Sequence, residues 1–422
     1  MAESSQPSRV VAIVVLCLLL LPITLPLAGA SSEWEEDGWL DADWFTKDGR
    51  IASGDELGCQ GMPALNLELM PKTTAMECRQ YLMERTNASR WGDSPLSFGV
   101  DMLENPNFDS SDHEALFEEG FAVHGLDTNF ENTVWHHATD FPKNNSDWWN
   151  LGSSGSLEQK ITPLDEIIEL ANQGAMVNLQ WQAQIADLKV RTNGELVSWL
   201  ESQNAWYTAW GEAYSYEFHR MNDDFKLFSS TAKEWNVVNE GSLIETAAWD
   251  VPITRGVDIR NNSVEEITID GFELKELSLI NKTLEQGWRQ EEGILWITLQ
   301  SGQNATILME NDSEIDLFGF NVCENGANFD FDDCALLVKP RYFNNHSWAL
   351  TISGHHTIDL FKWSMKFDES PLVFTWLVEP QEVEDFSWIL IVIAAGAGIG
   401  AVTYSRHLIL RDQSEQNLEE SE

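Results

Sequence analysis

Residues 176–185 read MVNLQWQAQI, and apolar and polar side chains alternate along this stretch. Val177, Leu179 and Trp181 fall on one side, and asparagine and glutamine fall on the other. A period of two is typical of a β-strand that buries one face. Asn193-Gly194 follows, and this pair is the strongest short hairpin signal. The stretch therefore predicts a strand that leads into a hairpin.

The chain after Glu234 consists of short apolar runs separated by turn residues. The runs are 235–238, 266–269, 294–299, 306–309, 336–338, 348–352, 358–363 and 372–378. The turn pairs are Asp270-Gly271, Ser301-Gly302, Asn325-Gly326, Ser353-Gly354 and Ser370-Pro371. Short strands at regular spacing predict an antiparallel sandwich or jelly roll. The expected fold is therefore a mainly β ectodomain with a few short helices and one C-terminal transmembrane helix.

Two short helices are predicted, and a third segment has two interpretations. Thr74 with Glu77 forms a capping box that starts the first helix. Thr162-Pro163 starts the second, which Gly174 ends. Residues 206–218 place aromatic side chains at even positions, as in a strand. The spacing of leucine and tryptophan in 195–200 is helical instead, so both interpretations stay open.

The two ends of the chain are apolar. Residues 10–27 follow Arg9 and precede Ala28-Gly29-Ala30, which matches a secretory signal peptide. Residues 386–404 carry no charged side chain and are followed by Arg406 and Arg411. That length suffices to cross a bilayer, and basic residues favour the cytoplasmic side. We expect a type I single-pass protein at the cell surface, in the plasma membrane, with its N-terminal part outside.

Small residues line part of the predicted span. Gly396 and Gly400 have the GxxxG spacing that lets two helices approach closely. A homodimer or a partner helix at this face is one interpretation, and the ordinary abundance of small residues in such helices is the other.

The net charge is −44, from 69 acidic and 25 basic residues. Binding to nucleic acid needs lysine and arginine to replace counterions, so this composition excludes a nucleic-acid partner. A strongly acidic surface keeps a protein soluble in salt, which fits a halophilic habitat.

Composition and turns predict a signal peptide at 1–30 and three regions at 31–155, 156–255 and 256–380. The span at 386–404 and a cytoplasmic tail at 405–422 follow.

Four cysteines remain after the signal peptide. An even number in an exported protein predicts disulfides, and short loops favour Cys59–Cys78 and Cys323–Cys334. The second loop reads CENGANFDFDDC. Its carboxylates are hard oxygen ligands, so Asp330, Asp332 and Asp333 are candidate calcium ligands. A solvated acidic loop is the alternative, and no cofactor is required by the sequence.

Seven N-x-S/T sequons suit an exported glycoprotein. They lie at Asn87, Asn144, Asn261, Asn281, Asn304, Asn311 and Asn345.

The chain also has 19 tryptophans. Most belong in the core, but Trp148 and Trp149 stand beside polar residues and are our candidate for a glycan-facing patch.

The string WNVVNE, Trp235 to Glu240, resembles the strand-end motif of the barrel glycoside hydrolases that include many xylanases. VWHH at 134–137 resembles another stretch of that family. The resemblance implies that Glu240 is a general acid/base and that Asn239 orients the sugar. A similar pattern occurs in jelly-roll domains, and the strands after Glu240 favour that interpretation.

We therefore expect a non-enzymatic structural or ligand-binding envelope protein that binds glycan or calcium. Two alternatives remain: a membrane-anchored glycan-active hydrolase that uses Glu240, and an accessory subunit of a membrane complex.

Overall fold

The computed structural model describes residues 49–100, 107–124, 149–157, 162–181, 194–242, 247–312, 322–324, 335–355, 367, 369–380 and 387–419. The described residues up to 380 belong to one compact unit, and the C-terminal helix belongs to another. The predicted boundaries at 155 and 255 fall inside strands of the first unit.

The helices of the described residues are α1 Arg50–Ser53, α2 Pro71–Met83, α3 Ser110–Glu118, α4 Leu164–Asn172, α5 Glu195–Ser202, α6 Trp210–Asn222 and α7 Ser387–Glu419, with a 3₁₀ turn at Phe343–Asn345. The strands are β1 Glu56–Cys59, β2 Val123–His124, β3 Trp149–Asn150, β4 Gly155–Ser156, β5 Met176–Trp181, β6 Trp206–Tyr207, β7 Phe225–Ser229, β8 Glu234–Asn239, β9 Ile253–Asp258, β10 Val264–Ile269, β11 Phe272–Glu273, β12 Gly287–Glu291, β13 Ile294–Leu299, β14 Asn304–Met309, β15 Val322–Glu324, β16 Ala335–Val338, β17 Ala349–His355 and β18 Phe374–Val378.

One sheet of the first unit is entirely parallel. Its order is β1-β18-β17-β5-β4, and β6 pairs with the first residues of β17. Parallel neighbours need a crossover of a dozen or more residues, and α4 supplies one between β4 and β5. The predicted strand after Gly174 is therefore confirmed, but its neighbours are parallel to it.

The parallel ladder closes on itself. The Cys59 N–H donates to the Ser97 carbonyl at 2.9 Å, and the Phe98 N–H donates to the Val123 carbonyl at 2.9 Å. β2 in turn pairs with β3, and the same chain segment continues into β4. The ring consists of β1, residues 97–98, β2, the β3–β4 segment, β5, β17 and β18. Seven parallel segments thus form a closed barrel, which has no free strand edge.

Helices cover the outer face of this barrel. Ile167 and Ala171 of α4 are buried beside β5, because leucine, isoleucine and alanine recur on one side of that helix. Cys78 of α2 is joined to Cys59 of β1 by a disulfide with a Cα–Cα distance of 6.2 Å. The predicted Cys59–Cys78 pairing is confirmed, and it fastens α2 to the barrel wall.

An antiparallel sandwich occupies the chain between β6 and β17. One sheet has the order β11-β10-β14-β8-β7, and the other has the order β12-β13-β9-β16-β15. All described pairs of these sheets are antiparallel except β15 with β16. Alternate residues such as Val237, Ile307 and Leu295 are fully buried in a shared core. The predicted antiparallel β-sheet structure is confirmed for this part of the chain.

α6 joins the barrel to the sandwich. Every residue from Trp210 to His219 is buried. At its far end the Arg255 Nη2 of β9 donates to the Arg220 carbonyl at 2.8 Å. His219 bridges Asp223, at 2.8 Å, and the Trp249 carbonyl, at 2.9 Å. The helical interpretation is right for 195–202 and 210–218, which lie in α5 and α6, whereas Trp206–Tyr207 between them form β6.

Several predictions were wrong for identifiable reasons. The prediction of antiparallel pairing fails for the barrel strands, because a period of two does not specify the direction of the neighbouring strand. Gly194 precedes α5 instead of closing a hairpin. Ser353 and Gly354 lie inside β17, where the missing side chain of Gly354 leaves room for the Trp376 ring.

The C-terminal unit contains α7, a helix of 33 residues. In the part of the chain that the structure describes, no helix is sufficiently long and apolar for a membrane crossing. The transmembrane helix predicted at 386–404 is therefore not supported by the structure.

Candidate functional site

The inner face of the barrel is polar. Register partners in a parallel ladder project to the same side, and Glu56 pairs with Thr375, Thr375 with Ser353, and Thr351 with Asn178. The opposite face carries Cys59, which contacts α2, so the polar face points to the barrel axis. We call this set the polar interior; its members are Glu56, Ser97, Ser156, Asn178, Gln180, Thr351, Ser353 and Thr375.

Burial makes this arrangement unusual. Glu56, Asn178, Thr351 and Thr375 are each 0% exposed. Barrel interiors are ordinarily filled by branched apolar side chains, and a buried polar group destabilises the fold unless it is hydrogen-bonded. The polar interior must therefore satisfy its own groups or bind something that does.

The N-terminus of α6 satisfies several of them. The Gly211 N–H donates to Glu56 Oε2 at 2.7 Å, and the Trp210 N–H donates to Thr375 Oγ1 at 2.8 Å. The Trp210 indole N–H donates to Asn178 Oδ1 at 3.0 Å. The first N–H groups of a helix lack partners within the helix, and a carboxylate is favourable there. Residues of two barrel strands thus cap α6 from the barrel interior, and Asn178 of a third strand holds the Trp210 side chain.

Burial also perturbs the acidity of Glu56. Loss of solvent raises the pKa of this carboxyl to about 7, although hydrogen bonds from Ser97, Gly211 and Thr375 oppose the shift. The nearby Glu212 carboxylate adds a smaller contribution in the upward direction. Glu56 therefore changes charge near neutral pH, at the contact between the barrel and α6.

Glu212 is the second buried acid of α6. Its Oε2 accepts from Arg90 Nη2 at 3.0 Å and from the Trp91 indole at 2.6 Å. Its Oε1 accepts from the Thr208 hydroxyl at 3.0 Å. Glu212 is 1% exposed, so Arg90 neutralises a charge that water cannot reach.

Several polar side-chain atoms near the barrel have no partner among the described residues. They include the hydroxyl oxygen of Thr351, the side-chain carbonyl oxygen of Gln60, which follows β1, and the indole nitrogen of Trp181 in β5. A buried polar atom without a partner costs about 1–3 kcal/mol. Such atoms mark positions where a ligand or a water molecule would be stabilised. Gln180 lies on the same face and donates to Ser153 Oγ at 3.1 Å.

A separate small cavity lies beside α6. Its volume of about 10 Å³ suits one water molecule. Its lining consists of Trp149, Met176, Trp206, Ala213, Tyr216, Glu217, Arg341 and Tyr342. The Trp206 indole nitrogen has no partner among the described residues, and such a water would accept a hydrogen bond from it.

The two residues of the hydrolase hypothesis lie in the sandwich, at the end of β8. The Asn239 side chain is buried, and its Oδ1 accepts from the Gly241 N–H at 3.0 Å. The Glu240 side chain is 47% exposed and lies 2.5 Å from Lys226, which also contacts Asp224 at 3.8 Å. Asn239 thus supports a turn, and Glu240 belongs to a solvated surface ion pair. This geometry does not favour catalysis at Glu240.

Trp149 does not form an exposed patch. It is 2% exposed and packs against Tyr214 of α6 with ring centroids 5.9 Å apart. The expected exposure of Trp149 was wrong, because Trp149 follows the inward register of Val123 and meets the buried helix. A contact of Trp149 with a ligand stays a prediction. Trp148 lies outside the described residues.

Most of the predicted calcium loop lies outside the described residues. Cys323 lies in β15, whereas Asp330, Asp332, Asp333 and Cys334 are outside the described residues. Within the described ranges, no cluster of three or more His, Cys, Asp or Glu side chains could hold a metal ion. Calcium and the Cys323–Cys334 disulfide therefore stay predictions.

Comparison of the chain with protein-family models, with curated proteins and with solved structures finds no match.

Sequence reasoning missed the polar interior, although a signal was present. Asn178 and Gln180 belong to the alternating stretch, and their side of the strand was expected to face solvent. The closure of the barrel turns that side inward. Glu56 stands alone in a short strand, and only the register with Thr375 reveals its position.

Proposed function

We propose that the chain is an exported, membrane-tethered protein whose barrel binds a polar, uncharged ligand, with a glycan as the ligand class. The observation that carries the proposal is the buried polar interior, above all the Thr351 hydroxyl that has no partner among the described residues. Ligands of parallel α/β folds bind beyond the carboxyl ends of the strands.

The side chains of the polar interior support the ligand class. Hydroxyl and amide groups exchange hydrogen bonds with sugar hydroxyls in both directions. The interior set contains no lysine or arginine, and the chain has a net charge of −44. Both features disfavour an anionic ligand. A neutral polyhydroxylated ligand remains the best fit.

Export is supported by the Cys59–Cys78 disulfide. Disulfides persist in oxidising compartments and are rare in reducing ones. The tether rests on sequence: residues 386–404 carry no charge, and α7 continues without interruption from Ser387 to Glu419. We place the barrel and the sandwich on the outer side for these reasons.

Ligand binding is tested with a panel of neutral oligosaccharides and thermal unfolding of the full chain. We expect at least one member to raise the unfolding temperature. Gln180→Ala should weaken its binding roughly fivefold, since one hydrogen bond contributes about 1 kcal/mol. Gln80→Ala, on the exposed side of α2, is the matched control and should bind as the wild type does. A folded protein that no oligosaccharide stabilises would refute the proposal.

The tether is tested by alkaline extraction of membranes from cells that produce the chain. We expect the full chain to stay in the membrane pellet and a chain that ends at 385 to be released. Release of the full chain would exclude the tether and leave ligand binding to be judged by the first experiment.

A further inference from the structure

Six of the seven sequon asparagines lie in the described residues, and their surroundings differ. Asn87, Asn261, Asn304 and Asn311 are exposed, whereas Asn281 and Asn345 are half-buried. Asn144 is outside the described residues. A glycan is bulky and hydrophilic, so it requires an asparagine whose amide nitrogen projects into solvent.

Asn261 and Asn311 occupy one corner of the sandwich. Asn262 Nδ2 donates to the Asn311 carbonyl at 3.0 Å, and the Asn311 N–H donates to Asn262 Oδ1 at 3.2 Å. These bonds fix the β9–β10 turn against the end of β14. Both sequon asparagines stay exposed on either side of this bridge, and no hydrogen bond of the structure's described part engages their side-chain nitrogens.

Asn304 and Asn87 are exposed in other places. Asn304 is the first residue of β14, opposite Val238 of β8. Asn87 follows α2 on the barrel side of the unit. Three of the exposed acceptors therefore lie on the sandwich and one lies beside the barrel.

The Asn281 side chain already makes hydrogen bonds within its own loop. Its Nδ2 donates to Glu285 Oε1 at 2.6 Å, and its Oδ1 accepts from the Ser278 N–H at 2.9 Å. A sugar on Nδ2 would break the first bond and force the side chain out of the turn. The loop that precedes β12 would then lose its internal support.

Asn345 is confined by backbone conformation. It lies in the 3₁₀ turn with a φ of 54° and stands between Asn344 and His346, which are 1% and 3% exposed. Asn344 accepts from Arg289 Nε at 3.1 Å, so the turn is held to the sandwich. A glycan at Asn345 would crowd this packed turn.

We propose that the folded protein carries N-linked glycans at Asn87, Asn261, Asn304 and Asn311 and carries none at Asn281 or Asn345. The assignment rests on the proposed export, because the sugar donor is available only to exported chains. In the transfer, the asparagine Nδ2 bonds to the anomeric carbon of a sugar on a lipid diphosphate. The bond from that carbon to the phosphate oxygen breaks, the amide gives one proton to a base of the transferase, and the lipid diphosphate leaves.

The pattern has a consequence for recognition. Two glycans at the Asn261–Asn311 corner and one at Asn304 cover part of the sandwich that contains β10 and β14. Partners and proteases would meet sugar on this side of the sandwich. The barrel has one proposed glycan beside it, at Asn87.

The test is site-specific mass spectrometry of the full chain, expressed in cells with an N-glycosylation pathway and recovered as folded membrane protein. Enzymatic release in heavy-oxygen water marks each modified asparagine. We expect marks at the four exposed positions and none at Asn281 or Asn345. Occupancy of Asn281 or Asn345 equal to that of the exposed sites would overturn the assignment, as would empty exposed sites in exported protein.

Two variants and one further measurement separate the possible failures. Ser263→Ala removes the hydroxyl of the Asn261 sequon and should lower the mass by one glycan. Ser347→Ala does the same for Asn345 and should leave the mass unchanged. Resistance of Cys59 and Cys78 to thiol alkylation shows that their disulfide has formed, and this measurement tests export independently of glycosylation. Unmodified chains with free thiols would refute export itself, whereas unmodified chains with the disulfide would refute only the glycan assignment.

Discussion

Glu56→Gln tests whether burial in the polar interior makes the charged form of Glu56 destabilise the fold. The substitution keeps the shape and an acceptor for the Gly211 N–H, which lies 2.7 Å from Glu56 Oε2 in the wild type. It removes the charge. Any pH dependence that comes from Glu56 must therefore vanish in the variant.

The direction of the change in stability with pH follows from the direction of the pKa shift of Glu56. Burial raises the pKa of Glu56 from 4.5 to about 7, so the folded state binds the proton more tightly than the unfolded state does. The stabilising contribution of the proton is fully present below pH 4.5 and is lost as the pH rises through 7. The charged form is the destabilising one.

The magnitude follows from the same two values. Each pKa unit corresponds to about 1.36 kcal/mol, and the full shift therefore amounts to roughly 3 kcal/mol at pH 8. At pH 5 most of the difference has not developed, and roughly 1 kcal/mol is expected. We expect Glu56→Gln to be more stable than the wild type by these amounts.

The assay is urea unfolding of both proteins at pH 5, 6, 7 and 8, followed by tryptophan fluorescence. Asp55 and Glu217 also have raised pKa values because of burial, and comparison at each pH cancels their contributions. Glu265→Gln makes the same chemical change on the exposed side of β10 and is the matched control. A difference between Glu56→Gln and wild type that is constant across this range, or a variant less stable at pH 8, would refute the reasoning.

Two further predictions follow from individual contacts, and a third follows from the sequence of α7. Replacing Cys59 and Cys78 by serine should lower the free energy of unfolding by roughly 3 kcal/mol, measured by urea unfolding; an unchanged value would show that the disulfide does not constrain the chain. Arg90→Met leaves the Glu212 carboxylate buried without its cation and should cost about 3 kcal/mol. Lys72→Met removes the exposed ion pair with Glu118 and should lower the free energy of unfolding far less; equal effects would contradict this ranking. If the predicted homodimer forms through Gly396 and Gly400, Gly396→Ile with Gly400→Ile should abolish its crosslinking and Gly398→Ile should not; a wild-type chain that never crosslinks would exclude the homodimer.

Local pattern predicted most of the strands of the sandwich. Ile294–Leu299 matches the predicted run. The strand Glu234–Asn239 extends its predicted run by one residue at each end, and Val264–Ile269 begins two residues before its predicted run. The reason is physical, because alternation and turn residues act within a few positions of the chain. Asp270-Gly271 is a turn for the same reason, with both residues at positive φ.

Local sequence patterns could not predict the barrel. β1 pairs with β18 across more than three hundred residues, and no local pattern records such a pairing. The strand at 123–124 is two residues long, too short for a detectable period. The polar interior depends on closure of the ring, so Glu56 and Thr351 gave no signal as isolated residues. The signal at Asn178 was present, but its buried side was assigned to solvent.

Hydrogen exchange with and without an oligosaccharide that raises the unfolding temperature tests ligand binding in the barrel most directly. Our account predicts slower exchange in β5 and β17, at 176–181 and 349–355, and unchanged exchange in β10 and β14 of the sandwich. Protection confined to the sandwich strands 264–269 and 304–309 would contradict it and would move the binding site out of the barrel.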